Sequence, residues 1–306
     1  MILTVTLNPA LDVTYRVPGL TLDATNRVAE VSVRAGGKGL NVARVLHALG
    51  YEVMALGLAG GPDGDRLVAS AGLPAAFTRV SGETRRTVAV VADGGVTMLT
   101  EPGPGITPAE WAAFQADFAR WLPRASAVVL SGSLPPGLPA DAYAVLAGLA
   151  GGVPTIVDAE GDALVNALAA RPHVVKPNVD ELSRTFGAAT SVRDGALRLR
   201  ELGARAVVVS DGPRGLHADT PEGRWRAVPP YTEGNPTGAG DAAVAAIAMG
   251  VVGRWDWAET LRHAAALSAA AVRAPLAGQA DHTAYRDNLA VIAAEPLEFE
   301  REGTQC

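Results

Sequence analysis

Six short apolar runs recur along the chain: ILTVTL (2–7), EVMALGL (52–58), SAVVLSG (126–132), PTIVDA (154–159), HVVKPN (173–178) and RAVVVSD (205–211). Most are apolar at odd and even positions alike, so both faces of each strand are expected to be covered, as in a parallel sheet between helices. Between the runs lie stretches of helical periodicity. LNVARVLHALG ends on Gly50, a capping residue. TPAEWAAFQADFARWL (107–122) opens with Thr107, Pro108 and Glu110, a capping box with proline in the first turn. This alternation predicts a doubly wound α/β fold whose ligands bind at the carboxyl ends of the strands.

Two segments break the rhythm. RVAEVSVR (27–34) alternates, with Ala29, Val31 and Val33 on one face and Glu30, Ser32 and Arg34 on the other; TVAVVADGGVTMLT (87–100) reads as a hairpin about Asp93-Gly94. Half-polar strands do not suit the interior of a covered sheet. They suit either a small β lid over its edge or an antiparallel extension of the main sheet. The Ala-rich stretch 258–274 predicts a closely packed helix, and the acidic end EPLEFEREGTQC (295–306) a solvated one.

Composition narrows the function classes. With 306 residues, 48% of them hydrophobic, the chain can bury the core of one large α/β domain or two smaller ones. A net charge of −6 without a basic stripe excludes an electrostatic nucleic-acid binder. The only cysteine is Cys306, which rules out an intrachain disulfide or a cysteine-based zinc site and suits a reducing compartment. No apolar run reaches the ~18 residues a membrane span needs, and the N-terminus lacks a basic signal region, so a soluble, cytoplasmic protein without membrane partners is expected.

Candidate chemistry gathers in five stretches. GNPTGAGDA (234–242) places Asp241 behind small residues and ahead of an apolar helix. A helix N-terminus offers unpaired N–H groups and the positive end of the macrodipole, and small residues let anionic oxygens approach. On these residues alone Asp241 is a helix-start acid or a base beside a bound phosphate. AGGKGLNVARVL (35–46) has glycines at 36, 37 and 39, a cation at Lys38, and Asn41 one turn into the helix; it matches neither the phosphate-loop nor the dinucleotide pattern. TLNPALD (6–12) reads as a turn or as a strand end whose Asp12 could hold sugar hydroxyls. VVKPNVDEL (174–182) sets Asn178 and Glu181 three apart, as a capping box or as a pair for a hydrated cation. SDGPRG (210–215) is a glycine-rich turn suited to packing against a nucleotide.

Together, AGGKGLNVARVL and NPTGAGDA resemble the two signature regions of the ribokinase-like carbohydrate kinases, the PfkB family. KPNVDEL resembles that family's Asn-x-x-Glu element, and SDGPRG its Ser-x-Gly-x-x-Gly nucleotide turn, in order and spacing over nearly the whole chain. MILTVTLNPALD, SGSLPPGLP and TEPGPGIT resemble the branch of tagatose-6-phosphate kinases and 1-phosphofructokinases. The resemblance implies a ribokinase-like fold, a central mostly parallel sheet between helices, with residues 1–306 as one kinase domain and a β lid from segments about 12–35 and 82–100. It implies ATP-dependent phosphorylation of a sugar alcohol group with magnesium.

Carried over by position, the resemblance makes Asp241 the base, with Gly238, Ala239 and Gly240 offering backbone N–H groups to the transferring phosphoryl. Asn178 and Glu181 serve the magnesium through water. Lys176, Asn178, Ser210, Gly212 and Gly215 line the nucleotide side; Asp12, Gly37, Lys38 and Asn41 hold the sugar. Arg85 takes the place of the branch's arginine for the substrate phosphate, a role its forked donors suit. The implied substrate is a phosphoketohexose: fructose 1-phosphate first, tagatose 6-phosphate or fructose 6-phosphate otherwise. Arg86, Thr87, Asp211 and DAEG (158–161) depart from the branch's pattern. The resemblance also admits a homodimer through the lid. Two rival readings are a non-catalytic sugar-phosphate sensor on the same fold and a nicotinamide dehydrogenase, whose fingerprint after the first strand is missing. Asp158 ends a strand on the nucleotide side and is given no role; His47 and His263 read as packing.

Overall fold

The apolar runs become strands because helices cover both of their faces. A computed structural model describes residues 1–93 and 95–297, so most of the expected solvated end, with Cys306, and one residue of the Asp93-Gly94 turn lie outside the described residues. In chain order the first elements are β1 (Ile2–Thr6), β2 (Ala10–Arg16), β3 (Glu30–Gly36), α1 (Lys38–Ala48), β4 (Val53–Gly60), α2 (Gly61–Ala69), β5 (Ala75–Val80), β6 (Arg85–Ala92) and β7 (Gly95–Thr100). Next come α3 (Pro108–Trp121), β8 (Ala127–Ser131), α4 (Ala142–Ala150), β9 (Thr155–Asp158), α5 (Gly161–Ala167), β10 (Val174–Val175), α6 (Val179–Phe186) and α7 (Val192–Glu201). The chain closes with β11 (Ala206–Ser210), β12 (Leu216–Thr220), β13 (Gly223–Ala227), α8 (Ala239–Gly253), α9 (Trp257–Val272), α10 (His282–Val291) and β14 (Ala294–Pro296).

The large sheet has the order β14-β13-β12-β11-β10-β9-β8-β1-β4-β5. It is parallel from β5 to β11 and antiparallel from β11 to β14. Alternate strand residues serve opposite layers. Ile2, Val129, Ile156, Val174 and Val208 pack with α1, α8, α9 and α10, whereas Leu3, Val5, Leu130, Val157 and Val207 pack with α3 to α7. β10 is shorter than the expected 173–178 because Pro177 has no N–H to give the ladder. The capping box of Thr107 and Glu110 is formed as the sequence predicts. Among the described residues no helix is long and apolar enough to cross a membrane.

The two half-polar segments form a separate sheet of order β3-β2-β6-β7, while a different set, β12 to β14, extends the main sheet antiparallel. Asp12 does not end the first strand. β1 stops at Thr6, and past Asn8-Pro9 the run ALDVTYR, rich in β-branched and aromatic residues, forms β2 of the second sheet. Its register sets Asp12 opposite Arg34 and Thr87, and Leu11 opposite Ala35 and Arg86. Asp12, Arg34, Arg85 and Thr87 therefore share one face. Arg86 lies on the other and reaches Asp63 of α2 at 2.5 Å.

Candidate active site

On the α8 side of the large sheet, strand residues are apolar, the buried Thr4 of β1 excepted, until the C-terminal ends, where polar groups take over. Ser131 and Asp158 stand side by side on β8 and β9, and the Lys176 amide bonds to Val157 O. Above this row starts α8. Its N-cap, Gly238, has φ 90°, and a Cβ there would come within 2.7 Å of Ala277 Cα, so only glycine suits the position. No side chain caps the helix, which leaves its first turn open toward an anion. Of the three amides expected to face the phosphoryl, that of Ala239 already donates to Pro236 O at 3.1 Å in the turn that starts the helix. Gly238 and Gly240 remain as the backbone donors.

Asp241 sits in that first turn and is 7% exposed. Asn41 Nδ2 donates to its Oδ2 at 2.8 Å, and Arg44 Nη1 donates to Asn41 Oδ1 at 3.2 Å, which fixes the amide's orientation. Burial first, then the nearby Asp158, push the Asp241 carboxyl up to about 7, against the pull of Asn41, Lys38 and Lys176. The helix N-terminus works the same way as those three but does not outweigh burial. A carboxyl at that value is a proton acceptor tuned to neutral pH.

Two lysines and two carboxylates complete the cluster. Lys176 Nζ lies 3.3 Å from Asp158 Oδ1, both side chains almost fully buried. Lys38 Nζ lies 3.7 Å from Asp158 Oδ1 and 3.4 Å from Glu181 Oε1; these charges, Asp158 first, hold its ammonium protonated well above the ordinary lysine range. Asn178 and Glu181 form a reciprocal capping box: the Glu181 amide donates to Asn178 Oδ1 at 2.8 Å and the Asn178 amide to Glu181 Oε2 at 2.9 Å. Asp158 Oδ1 is buried without a hydrogen-bond partner. Among the described residues no three of His, Cys, Asp and Glu converge as a metal cage, which a magnesium ion held mainly by water and phosphate does not need.

The sugar-side residues form a second group. The Asp12 carboxyl is raised by burial, against Arg34, Arg44 and Arg85. Arg85 donates through Nε to Asn8 O at 3.2 Å and through Nη1 to Glu101 O at 3.0 Å, and opens onto a cleft of about 710 Å³ that Asn8 and Ser133 also line. Of the residues expected to hold the sugar, Gly37 caps α1, but Lys38 and Asn41 turn to the acids and Asp241 of the first cluster. On the nucleotide side, Ser210 bridges to Asn178, and Gly212 and Gly215 bound a turn that Asp211 and Arg214 close with an ion pair at 2.6 Å. Sequence reasoning gave Asp158 no role and did not single out Ser133 or Asn8. The strand-end position of Asp158 in PTIVDA was the one available signal.

Comparison with known proteins gives the family of the chain. The model of the pfkB family carbohydrate kinases matches residues 6–284. Phosphofructokinase-2 from Escherichia coli in complex with fructose-6-phosphate is similar at 30% identity and a TM-score of 0.85, over 94% of this chain and 98% of that one. The tetrameric inhibited form of that enzyme gives a TM-score of 0.86 at the same identity and coverage. A protein from Thermotoga maritima described as a possible 1-phosphofructokinase is 27% identical, with a TM-score of 0.87 over 97% of this chain and all of that one.

Proposed function

The chain belongs to the pfkB family of carbohydrate kinases, ATP-dependent sugar kinases, and from that premise we propose that it phosphorylates a ketohexose phosphate, fructose 1-phosphate first. The observation that carries the reading is the buried Asp241, raised to about 7, at the open N-terminus of α8. Phosphoryl transfer asks a protein mainly for alignment and charge stabilisation. Gly238 and Gly240 offer amides to the transferring phosphoryl, and Lys38 and Lys176 bring positive charge to its oxygens. Asp241 accepts the proton of the attacking hydroxyl, with Asn41 holding the carboxyl in place.

The oxygen donors of Glu181 and Asn178, with Asp158 Oδ1 beside them, ion-paired to Lys176 and Lys38 but without a hydrogen bond, suit magnesium bound through water. When bound, the ion neutralises phosphate charge; the protein's part is to hold these carboxyls next to the lysines. Ser210, Gly212 and Gly215 line the nucleotide. Asp12 and Gly37 take the sugar hydroxyls under the small sheet, which acts as the lid. Arg85 takes the substrate phosphate in the cleft beside Ser133. The outer face of the lid leaves Val31, Val33 and Leu99 each at least half exposed, and a second copy of the chain is the partner we assign to it. Light scattering after gel filtration checks that assembly.

Fructose 6-phosphate is the second reading, favoured by the 30% identity to a phosphofructokinase-2. Both substrates give fructose 1,6-bisphosphate from opposite ends of the sugar. Purified protein with ATP and magnesium, assayed for ADP and by phosphorus NMR against both fructose phosphates and tagatose 6-phosphate, separates them. We expect the highest kcat/KM with fructose 1-phosphate. No turnover with any of the three would leave a sugar-phosphate sensor.

A further inference from the structure

Arg34 stands between the two clusters. Its Nη2 lies 3.9 Å from Asp12 Oδ2, and its Nη1 donates to Ala277 O at 2.9 Å. Ala277 and the next residue touch both arms of the phosphoryl-transfer cluster. A Cβ on Gly238 would fall 2.7 Å from Ala277 Cα, and a Cβ on Gly278 would fall 3.0 Å from Asn41 Oδ1. The backbone of Ala277–Gly278 thus lies directly against Gly238 and Asn41, with no room for a side chain between them. Asn41 in turn holds Asp241. The path from the sugar-side carboxyl to the base therefore runs Asp12, Arg34, Ala277–Gly278, then Gly238 on one side and Asn41 on the other.

We infer that Arg34 is a positioning residue that couples acceptor binding at Asp12 to the geometry of the phosphoryl cradle, through the carbonyl of Ala277. The inference rests on the assignment of Asp12 to the acceptor and of Gly238 to the phosphoryl group. A forked guanidinium can serve a carboxylate and a carbonyl at once, where an ammonium on a flexible stem holds one geometry poorly. The Asp12 contact is the looser of the two, so it is the one that acceptor hydroxyls alter. β2 and β3 pair over seven residues, so movement of Asp12 under the acceptor carries Arg34 with it. Ala277 and Gly278 then press on Gly238 and Asn41. Arg34 touches neither reacting group itself.

Titration calorimetry with magnesium and β,γ-imido-ATP, with and without saturating fructose 1-phosphate and in parallel fructose 6-phosphate, reads the coupling as a ratio of affinities. The ratio is the same whichever ligand is added first. For the wild type we expect a ratio of at least about fivefold. Arg34→Gln brings it close to one and lowers kcat while leaving the acceptor-free affinity for the analogue unchanged; Arg34→Lys gives an intermediate ratio. A merely structural tie would lower the melting temperature of Arg34→Gln and leave the ratio intact, and that result overturns the inference. So does a wild-type ratio of one with both sugars. Turnover by the wild type is scored separately: its absence sinks the proposed reaction, whereas turnover with an unaltered ratio in Arg34→Gln sinks only the role of Arg34.

Discussion

Helices α6 and α8 begin beside the same cluster of charges and finish their first turns in opposite ways. α6 is closed by its own residues, Asn178 and Glu181 satisfying each other's amides. α8 starts on a glycine with no side chain to offer, and its acid, Asp241, bonds to Asn41 instead of folding back on the helix. α1, which supplies Asn41, also starts on an uncapped glycine, Gly37 at φ 124°. By contrast α3, α7, α9 and α10 are capped by Thr107, Ser191, Asp256 and Asp281. At these four ends a side chain fills orphan N–H groups, whereas α2, α4 and α5 start without a side-chain cap. At the open starts of α1 and α8 the two helices meet, and the carboxyl there is held by Asn41 and not by an arginine.

The comparison breaks most sharply at Asp241. Asp241→Asn keeps an acceptor for Asn41 but cannot take a proton, and we expect kcat to fall at least about a hundredfold with little change in sugar affinity. Steady-state kinetics decide this; a variant with more than a tenth of wild-type kcat removes the base from Asp241.

The pH dependence should be nearly as large. Asp241 must be deprotonated to act, so kcat/KM should rise roughly tenfold per pH unit below a carboxyl value of about 7 and level off above it. The sign for stability is the reverse. The folded value exceeds the ordinary 3.8, so the native state holds this proton more tightly than the unfolded chain does. The stabilisation is complete below the unfolded value and is lost as pH rises to about 7. Asp241→Asn should therefore melt above the wild type at pH values higher than about 7, read by thermal unfolding.

Gly238→Ala tests the open end itself. The left-handed φ costs about 1–3 kcal/mol for a residue with a side chain, and the methyl would press on Ala277, so kcat and melting temperature should fall together. An active variant of wild-type stability would show that the glycine is dispensable.

Arg85→Ala acts on the other sheet. Losing one phosphate contact should raise the sugar-phosphate KM by about tenfold, the loss of a hydrogen bond to a charged group, with kcat less affected. An unchanged KM takes Arg85 out of the pocket. The smallest effect is expected at a closed end far from the chemistry. Ser191 Oγ accepts from the Asp194 amide at 3.1 Å, and Ser191→Ala should cost about 1 kcal/mol of stability with kcat unchanged. A drop in kcat there would blur the division between open and closed helix ends.

Much of this was legible before folding. The strand runs, the Thr107 cap, the Asn178–Glu181 box and the start of a helix at Asp241 all depend on residues within one or two turns of each other. Side-chain period and cap chemistry act at that range. What was misread lay in long-range geometry: the Ala239 amide is taken by Pro236, Lys38 and Asn41 turn to the acids, and part of the second sheet was missed. Asp12 looked like a strand end because Asn8-Pro9 is a strong turn signal, yet the next strand starts at once. Arg85 and Arg86 are neighbours in sequence, and only the pleat sends one to the cleft and the other to Asp63.

By itself, then, the sequence determined the layered α/β class, the glycine-led starts of α1 and α8 and the acid behind the second of these. These follow from local periodicity and from backbone conformations that few residues adopt. The tertiary structure alone decided that Lys38 faces Asp158 and Glu181 and that Asn41 holds an acid 200 residues away. It also set that acid near neutrality, since burial and field are sums over atoms that only the folded chain brings together.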